Sequence, residues 1–258
     1  MVMVSYHTAA NIGLVDGGNS RIHLGVWDGY NVTMPESHAY PESNEDMKSL
    51  IVSYLDSNHI TSIAACSVSK KQRDAIFSVL EDTIDDLRVV GSALDIGVKI
   101  PYRRPENYGV DRALGVLRAY DLCGGACVVI DAGSAVTVDA VNNNGNVAGG
   151  YISAGLRAIM YGLSSLTDLP DVDPSRYGTG IGIDTESSIG YGIGLGYAGA
   201  VERLAVCAAS QVGKTDQIYI TGGDGAFLAS QLSIRTIYRP ALVLEGLALA
   251  HPMLPANR

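Results

Sequence analysis

The sequence has no run of lysines or arginines. Its 258 residues include 18 Lys and Arg against 27 Asp and Glu, which gives a formal net charge of −9. A nucleic-acid-binding surface is therefore not expected. The chain also lacks an apolar run of membrane-spanning length and a signal peptide, so we expect a cytoplasmic protein without a membrane partner.

Metal-binding and common nucleotide-binding signatures are also missing. The four cysteines form no Cys-x-x-Cys pair, and the spacing of Cys123 and Cys127 brings no partner ligands, so a zinc site is not expected. The five histidines are scattered and support neither a metal site nor a catalytic base. No P-loop lysine, Rossmann fingerprint or Gly-x-Ser-x-Gly turn stands in a convincing context. We expect reduced thiols in a globular α/β protein of one large domain or two ordinary ones.

The most informative stretch is residues 128–141, VVIDAGSAVTVDAV. It predicts a strand that ends at Asp131, a glycine-containing turn, and a second strand of alternating apolar residues. Residues 13–26, GLVDGGNSRIHLGV, repeat this design with Asp16 in the place of Asp131. Two such hairpins about half a chain apart predict two similar halves.

These turns suit a phosphate ligand. Glycine lets the backbone approach a ligand closely, and successive N–H groups in such a turn bind anions. An aspartate beside a phosphate needs a cation between them, so the paired turns indicate a nucleotide phosphate chain with bound metal. Each hairpin taken alone also fits an ordinary Asp-Gly turn, and that alternative stays open.

The first 90 residues show the element order β-β-β-α-β-α-β, which is typical of layered α/β folds. We expect the third strand to run through Thr33, and the second helix to run from Lys70 to about Asp82 with Ser69 as its cap. We expect an N-terminal extension over residues 1–11, a first lobe over 12–122 and a second lobe over 123–258. A long helix over 184–211 is unusually rich in glycine, which predicts a close backbone approach to another helix or to a ligand.

Two further motifs are candidates for chemistry. Gly109-x-Asp111-Arg112 lies where a loop becomes a helix, so Asp111 could accept a proton from a substrate hydroxyl, or could simply cap the helix. Thr221-Gly222-Gly223 ends a strand and could pass beneath a nucleotide, or could be a plain strand-to-helix turn.

Taken together, these motifs resemble those of the superfamily of acetate and sugar kinases, heat-shock ATPases and actin. More closely, they resemble the type III pantothenate kinases, in the family's order and over nearly all of Leu14 to Ala250. The matching segments are Asp-x-Gly-Asn-Ser (16–20), Gly-x-Asp-Arg (109–112), Asp-x-Gly-Ser-Ala (131–135), Gly-Gly-x-Ile (149–152), Thr185 with the glycines 192, 196 and 199, and Thr-Gly-Gly (221–223).

The resemblance implies two similar ribonuclease-H-like lobes of the actin-like ATPase fold, with mixed sheets flanked by helices and a nucleotide cleft between them. It implies ATP-dependent phosphorylation of pantothenate to 4′-phosphopantothenate, the first step of coenzyme A biosynthesis, with Asp111 as general base. It also implies Mg²⁺ with ATP, a monovalent cation (K⁺ or NH₄⁺), and a homodimer with the pantothenate pocket at its interface.

The family's functional residues carry over motif by motif. The ATP-binding set would be Asp16, Gly17, Gly18, Asn19, Ser20, Arg21, Ile22, His23, Ser134, Gly222 and Gly223. The pantothenate-binding set would be Tyr102, Gly109, Val110, Asp111, Arg112 and Thr185. Asp131 would bind the monovalent cation, and Asp16 would lie near the divalent metal.

The sequence departs from the family at two motif positions. Ser134 stands where the family usually has threonine, which keeps the hydroxyl, and Ala154 replaces a proline, which affects the rigidity of a turn. Two alternatives remain: a catalytically silent regulatory protein of the same fold, and another small-molecule kinase or phosphatase of the superfamily.

Overall fold

The computed structural model describes residues 11–255, so the predicted extension over residues 1–11 falls outside it except for Asn11. The chain forms two units by its internal contacts. The first contains the residues up to Arg118 and those from Ala241 onward, and the second contains Ala119–Pro240. No helix among the described residues has the length and apolar character needed to cross a bilayer.

The elements of the first unit begin with the predicted hairpin. Its strands are β1 (Ile12–Gly17), β2 (Arg21–Trp27), β3 (Val32–Ala39), β4 (Ser62–Ser67) and β5 (Asp86–Val90). Its helices are α1 (Asn44–Ser57), α2 (Arg73–Glu81), α3 (Val110–Cys123), which runs on into the second unit, and α7 (Leu242–Ala250).

The second unit begins with the other predicted hairpin. Its strands are β6 (Cys127–Ala132), β7 (Ala135–Val141), β8 (Val147–Ala154), β9 (Ile218–Thr221) and β10 (Ile237–Tyr238). Its helices are α4 (Leu156–Leu166), α5 (Thr185–Gln211) and α6 (Gly225–Gln231).

The two sheets have the same topology. Their strand orders are β3-β2-β1-β4-β5 and β8-β7-β6-β9-β10. In each, the first strand pairs antiparallel with the second and parallel with the fourth. The repeated hairpins therefore belong to a repeated β/α unit, and the predicted class of two actin-like lobes with mixed sheets and flanking helices is confirmed.

Each unit has its own apolar core. The first core is built from inward residues of β1, β2 and β4 and from α1 and α2, with Ile22, Leu24 and Ile51 fully buried. The second joins β6, β7 and β9 to α5 and α6. The alternation of each hairpin's second strand turns one face to this core, which fixes the register and so the position of each turn.

The last helix differs from the sequence expectation, which placed residues 123–258 in one lobe. Helix α7 instead contacts β1, β2 and β4 of the first unit. Its sequence, LVLEGLALA, is apolar nearly all round and is buried at every residue but Val243. Such a helix has no single apolar face, so its pattern cannot indicate which sheet it covers.

Two predicted boundaries also shift. The helix expected from Lys70 begins at Arg73, because Ser69 Oγ accepts the N–H of Gln72 at 3.3 Å and closes a turn ahead of it. The third strand continues past Thr33 to Ala39, where it pairs antiparallel with β2. The residues from Met34 to Ser37 are all exposed, so this strand shows no alternation of buried and exposed positions and the sequence pattern ends it too early.

Candidate functional site

Asp16 is the second-last residue of β1 and lies at the carboxyl end of this strand in the first sheet. Because β1 and β4 are parallel, their carboxyl ends meet there, and Asp16 lies beside Cys66 in register. The thiol of Cys66 donates to Asp16 Oδ1 at 3.3 Å. The Asp16 carboxyl is only 6% exposed. The site therefore holds an almost fully buried acid with one weak donor bonded to it.

The protonation of Asp16 reflects this setting. Burial raises its pKa from 3.8 to about 7, the charge of Asp111 adds to the rise, and the Cys66 hydrogen bond opposes it. The structure therefore brings Asp16 and Asp111, two predicted site residues about a hundred positions apart, within electrostatic reach in one unit. Two carboxylates in this relation favour a cation beside them.

The turn after Asp16 is tightly closed. The N–H of Gly18 donates to the carbonyl of Arg21 at 3.0 Å, and the hydroxyl of Tyr40 donates to the carbonyl of Gly18 at 2.7 Å. Asn19 and Ser20 form the exposed tip. The turn thus presents two polar side chains to solvent on a fixed backbone.

The other predicted ATP-binding residues of this hairpin are more buried or already bonded to other residues. The side chain of Ile22 is fully buried in the core, so only its backbone could reach a ligand. The guanidinium of Arg21 donates to Ser37 Oγ at 2.7 Å and to the Ser37 carbonyl at 2.6 Å. Gly17 is buried against Ser67 and Ile76, and His23 is half-buried with its pKa lowered by burial and by Arg21.

A cavity of about 650 Å³ opens beside the tip of this turn. Its lining includes Asn19 and two adjacent lysines, Lys70 and Lys71, in the turn before α2. The remaining lining residues are Tyr40, Val68, Ser69 and Gln72. In a chain of net charge −9, this places local positive charge next to the phosphate-type turn.

Asp111 is the second residue of α3, since the helix begins at Val110. It therefore does not occupy the helix N-cap position that the alternative interpretation assigned to it. Its Oδ1 accepts the N–H of Arg112 at 2.7 Å, and a Cβ on Gly109 would overlap that same oxygen. Gly109 thus leaves the room in which the Asp111 carboxylate lies, and the half-buried carboxylate stands at the positive end of α3.

Arg112 is held by two aromatic rings. Its guanidinium carbon lies 4.4 Å from the centre of the Tyr108 ring, a cation–π contact, and its Nη1 donates to the hydroxyl of Tyr102 at 3.4 Å. The two rings meet edge to face at 5.4 Å. Arg112 is only 7% exposed. The motif therefore combines a half-buried acid with a nearly buried cation of fixed orientation.

The second hairpin places Asp131 near the end of β6. The turn is closed by the N–H of Gly133, which donates to the carbonyl of Ala135 at 3.1 Å, and Ser134 is exposed at its tip. Gly155, just before α4, packs directly on the Gly133 and Ser134 carbonyl groups. The second unit thus repeats the geometry of acid, glycine and small hydroxyl seen around Asp16.

The Thr-Gly-Gly motif lies next to Asp131. Strand β9 runs parallel to β6 with Thr221 opposite Asp131. Gly222 has φ +91°, and a Cβ there would lie 2.5 Å from Asp131 Oδ1 and 2.5 Å from the Ala132 carbonyl oxygen. Only glycine fits this position. Gly223 has open space around it among the described residues.

A buried hydroxyl shares this region of the second unit. Tyr197 Oη is buried, and the described residues give it no hydrogen-bond partner. Burial, then the charges of Asp224 and Asp131, raise the pKa of Tyr197. Asp224 has its own pKa raised, mainly by burial. The charge of Arg157 opposes this rise. Carboxylate and hydroxyl oxygens are the ligands that hard cations prefer.

Thr185 is the first residue of α5 and is exposed. Asp184 caps the helix by accepting the N–H of Ser187 at 2.8 Å. Thr185 lies in the second unit, whereas the other predicted pantothenate-binding residues lie in the first. Within the helix, Gly190 packs on the Tyr177 ring, so the predicted close approach is made there to a side chain.

Sequence reasoning missed three residues that shape these sites. Cys66 could have been found by pairing the carboxyl ends of two parallel strands, where it falls opposite Asp16. Tyr40 and Tyr108 carry no local signal, because their roles depend on contacts with Gly18 and Arg112 that only the fold creates.

Comparisons with known proteins show which family the chain resembles. The family model described as type III pantothenate kinase matches residues 14–206. A type III pantothenate kinase of Dehalococcoides mccartyi is 28% identical over 249 residues, covering 93% of this chain and 96% of that protein. Another, from Chromohalobacter salexigens, is 34% identical over 192 residues, covering 70% of this chain and 68% of that protein.

A solved structure supports the fold independently. It is component A of the (R)-2-hydroxyglutaryl-CoA dehydratase of Acidaminococcus fermentans, with a TM-score of 0.57 and 16% identity, covering 95% of this chain and 96% of that one. At this identity the likeness concerns the fold alone. The family match covers well over half of the chain, and the chain therefore belongs to the type III pantothenate kinase family.

Proposed function

We propose that the protein transfers the γ-phosphoryl group of ATP to the terminal hydroxyl of pantothenate, which yields 4′-phosphopantothenate and ADP. The observation that carries this proposal is that the carboxylates of Asp16 and Asp111 lie in one unit, close enough for the charge of Asp111 to raise the pKa of Asp16. One carboxylate stands at a phosphate-type turn, and the other stands at the positive end of a helix beside a held arginine. Membership of the family supplies the substrates.

Asp111 is proposed as the general base. Its carboxylate takes the proton of the pantothenate hydroxyl while that oxygen bonds to the γ-phosphorus, and the bond from phosphorus to the β–γ bridging oxygen breaks as ADP leaves. Phosphoryl transfer depends mainly on positioning and charge stabilisation, so one well-placed carboxylate is sufficient for the proton. The cation of Arg112, held by Tyr102 and Tyr108, would bind an anionic group of the substrate.

Fewer contacts in the structure support the remaining residues proposed to bind pantothenate. Gly109 and Val110 would line the pocket with backbone, because Val110 is buried and Gly109 has no side chain. Thr185, in the second unit, would contribute a hydroxyl.

Mg²⁺ with ATP fits the residues around Asp16. When bound, it would neutralise charge on the phosphates and hold them in place. Among residues 11–255 no group of three or more His, Cys, Asp or Glu side chains is placed to hold a metal. A divalent ion would thus take ligands from the phosphates and water in addition to Asp16, which is the usual habit of Mg²⁺.

A monovalent cation, K⁺ or NH₄⁺, is proposed at Asp131. Support comes from the Asp131 carboxylate and the adjacent Ala132 carbonyl oxygen, which both lie against Gly222, and from the buried hydroxyl of Tyr197. These are oxygen donors, the class that hard cations prefer. The side chain of Ser134 and the backbone of Gly222 and Gly223 would contact ATP.

We also propose a homodimer formed through the second unit. Large apolar side chains are exposed on β8, on α4 and in the segment before α5, and Ile183 is 93% exposed. The others are Ile152, Tyr161, Leu166 and Ile181. Large exposed apolar patches mark protein interfaces, and we propose that these side chains form one. Ile183 stands two residues before Thr185, so a second copy bound there would cover the start of α5. Light scattering of Ile183→Glu should then report a monomer.

The test is a panel of acceptors with ATP: pantothenate, several sugars, acetate and inorganic polyphosphate. ADP release is measured in potassium buffer and in choline buffer. Among these acceptors, we expect only pantothenate to be phosphorylated, and we expect a higher rate in potassium buffer than in choline buffer. Turnover with another acceptor would assign a different kinase of the superfamily, and no turnover by folded, ATP-binding protein would assign a silent regulatory protein.

A further inference from the structure

Helix α7 is fixed on the sheet whose first strand ends at Asp16. It contacts β1, β2 and β4. A Cβ on Gly25 of β2 would lie 3.1 Å from Leu244 Cδ1, so helix and sheet meet closely. With every residue buried except Val243, α7 has little freedom to shift along the sheet.

The same helix touches α3 backbone to backbone. A Cβ on Gly246 would overlap the carbonyl oxygen of Leu114 and would lie 2.7 Å from its carbonyl carbon. Leu114 follows Asp111 by three residues, nearly one helical turn. This contact between the two helices therefore lies about one turn along α3 from Asp111.

A buried ion pair continues this contact. Arg118 Nε donates to Glu245 Oε2 at 2.8 Å, and the two side chains are 12% and 10% exposed. Arg118 is one turn beyond Leu114, and Glu245 adjoins Gly246. A nearly buried ion pair has a defined geometry, so this contact restricts how far α3 can slide or rotate against α7.

The far end of α7 is anchored as well. Ser62 Oγ in β4 lies 2.6 Å from His251 Nε2, just after the helix. Arg88 of β5 donates to the carbonyl oxygens of His251 at 3.2 Å and Leu254 at 3.3 Å. Both ends of the segment are thus held by the sheet, and α3 rests on its middle.

We propose that Gly246 and the Arg118–Glu245 ion pair are positioning residues, through which α7 sets the place of Asp111 relative to Asp16. This inference rests on the proposed function, in which Asp111 is the general base. None of the three residues touches substrate in this scheme; each acts through the position of α3.

The expected effect follows from the contact distances. An added methyl group at Gly246 needs the two helices to separate by about 1 Å to reach ordinary van der Waals contact. A misplacement of that size at a reacting group costs about 100-fold in rate. Because ATP is bound mainly by the turn after Asp16, which α3 does not form, the KM for ATP should not change.

The experiment compares Gly246→Ala, Glu245→Gln and the charge-reversed pair Arg118→Glu/Glu245→Arg with a matched control. The control is Ile51→Val, a core change in α1 of the same unit that lies on neither helix. For each variant, kcat and the KM values for ATP and pantothenate are measured, and the folded fraction is followed by circular dichroism. We expect kcat to fall about 10- to 100-fold in the first two with the KM for ATP within twofold.

The reversed pair should recover at least part of the kcat lost in Glu245→Gln, and Ile51→Val should keep the wild-type kcat. The inference is wrong if folded Gly246→Ala and Glu245→Gln both match Ile51→Val in kcat. If Gly246→Ala does not fold, Glu245→Gln and the reversed pair decide by the same comparison.

Failure of the proposed function is read separately, from Asp111→Asn. Should that variant keep full activity, the general-base assignment is lost, and positioning is then tested by crystallography of Gly246→Ala. A shift of Asp111 against Asp16 of about 1 Å is expected there, and an unchanged separation would contradict the inference.

Discussion

Replacing Asp16 by asparagine should stabilise the ligand-free protein at neutral pH while removing its activity. The pKa of Asp16 is raised from 3.8 to about 7 in the folded state, chiefly by burial and then by Asp111. Below pH 3.8 the carboxyl is protonated in both folded and unfolded chains. Between pH 3.8 and about pH 7 only the unfolded chain loses the proton, so this group increasingly destabilises the folded state as the pH rises.

The size of the effect follows from linkage. A difference between 3.8 and about 7 corresponds to a destabilisation of about 4 kcal/mol once the pH exceeds both values. About 2.5 kcal/mol of this develops between pH 5 and pH 8. Asparagine is isosteric and cannot ionise, so it removes the whole pH-dependent term.

The assay is urea denaturation of the metal-free protein and of Asp16→Asn between pH 5 and pH 8. The free energy of unfolding of the variant should exceed that of the wild type by an amount that grows with pH. Asp111→Asn should raise the free energy of unfolding by a smaller amount, because burial contributes more than Asp111 to the raised pKa of Asp16. Asp28→Asn is the control of opposite sign: hydrogen bonds from Asn31 and Tyr30 lower the pKa of Asp28, so its loss should destabilise the protein at neutral pH. Parallel pH curves for the wild type and Asp16→Asn would show that the carboxyl of Asp16 does not have a raised pKa in the folded protein.

Three other predictions concern single contacts. Gly222→Ala should displace the Asp131 carboxylate and abolish activation by potassium, measured as the ratio of rates in potassium and choline buffers; an unchanged ratio would contradict this. Tyr108→Leu should raise the KM for pantothenate about fivefold, because it removes the ring that contacts Arg112. Tyr108→Phe retains a ring and should have the wild-type KM, so equal KM values in the two variants would argue against a cation–π role. Burial is the main cause that lowers the pKa of His251 from 6.5 to about 4, so the free energy of unfolding should decrease as the pH falls from 6.5 through about 4. A His251→Gln variant should lack this part of the acid sensitivity, and the same acid dependence in both proteins would contradict the prediction.

The parts of the fold that the sequence predicts are those with local causes. An acid at the end of an apolar strand, followed by glycine and an alternating strand, specifies a hairpin without help from the rest of the chain. Asp16 and Asp131 both follow this rule, and the repeated sheet topology confirms the predicted two-lobed class. The resemblance to a family also rests on such local motifs, which is why it could be made from one sequence.

The parts that the sequence does not predict depend on contacts between distant segments. Helix α7 carries no polar face to orient it, so its place beside α3 and β1 follows only from the fold. The glycines of α5 illustrate the same limit. The predicted approach is to another helix or to a ligand, but Gly190 packs on the Tyr177 ring, and Gly192, Gly196 and Gly199 have no atom of another described segment within 4 Å of the position of an added Cβ.

The most direct test of the account is single-turnover phosphorylation of pantothenate by the wild type and by Asp111→Asn, with 4′-phosphopantothenate measured by quenched-flow mass spectrometry. We predict that the variant remains folded and binds ATP as the wild type does, but forms product about 100- to 10,000-fold more slowly. Product formation at the wild-type rate would show that the Asp111 carboxylate does not accept the proton of the attacking alcohol.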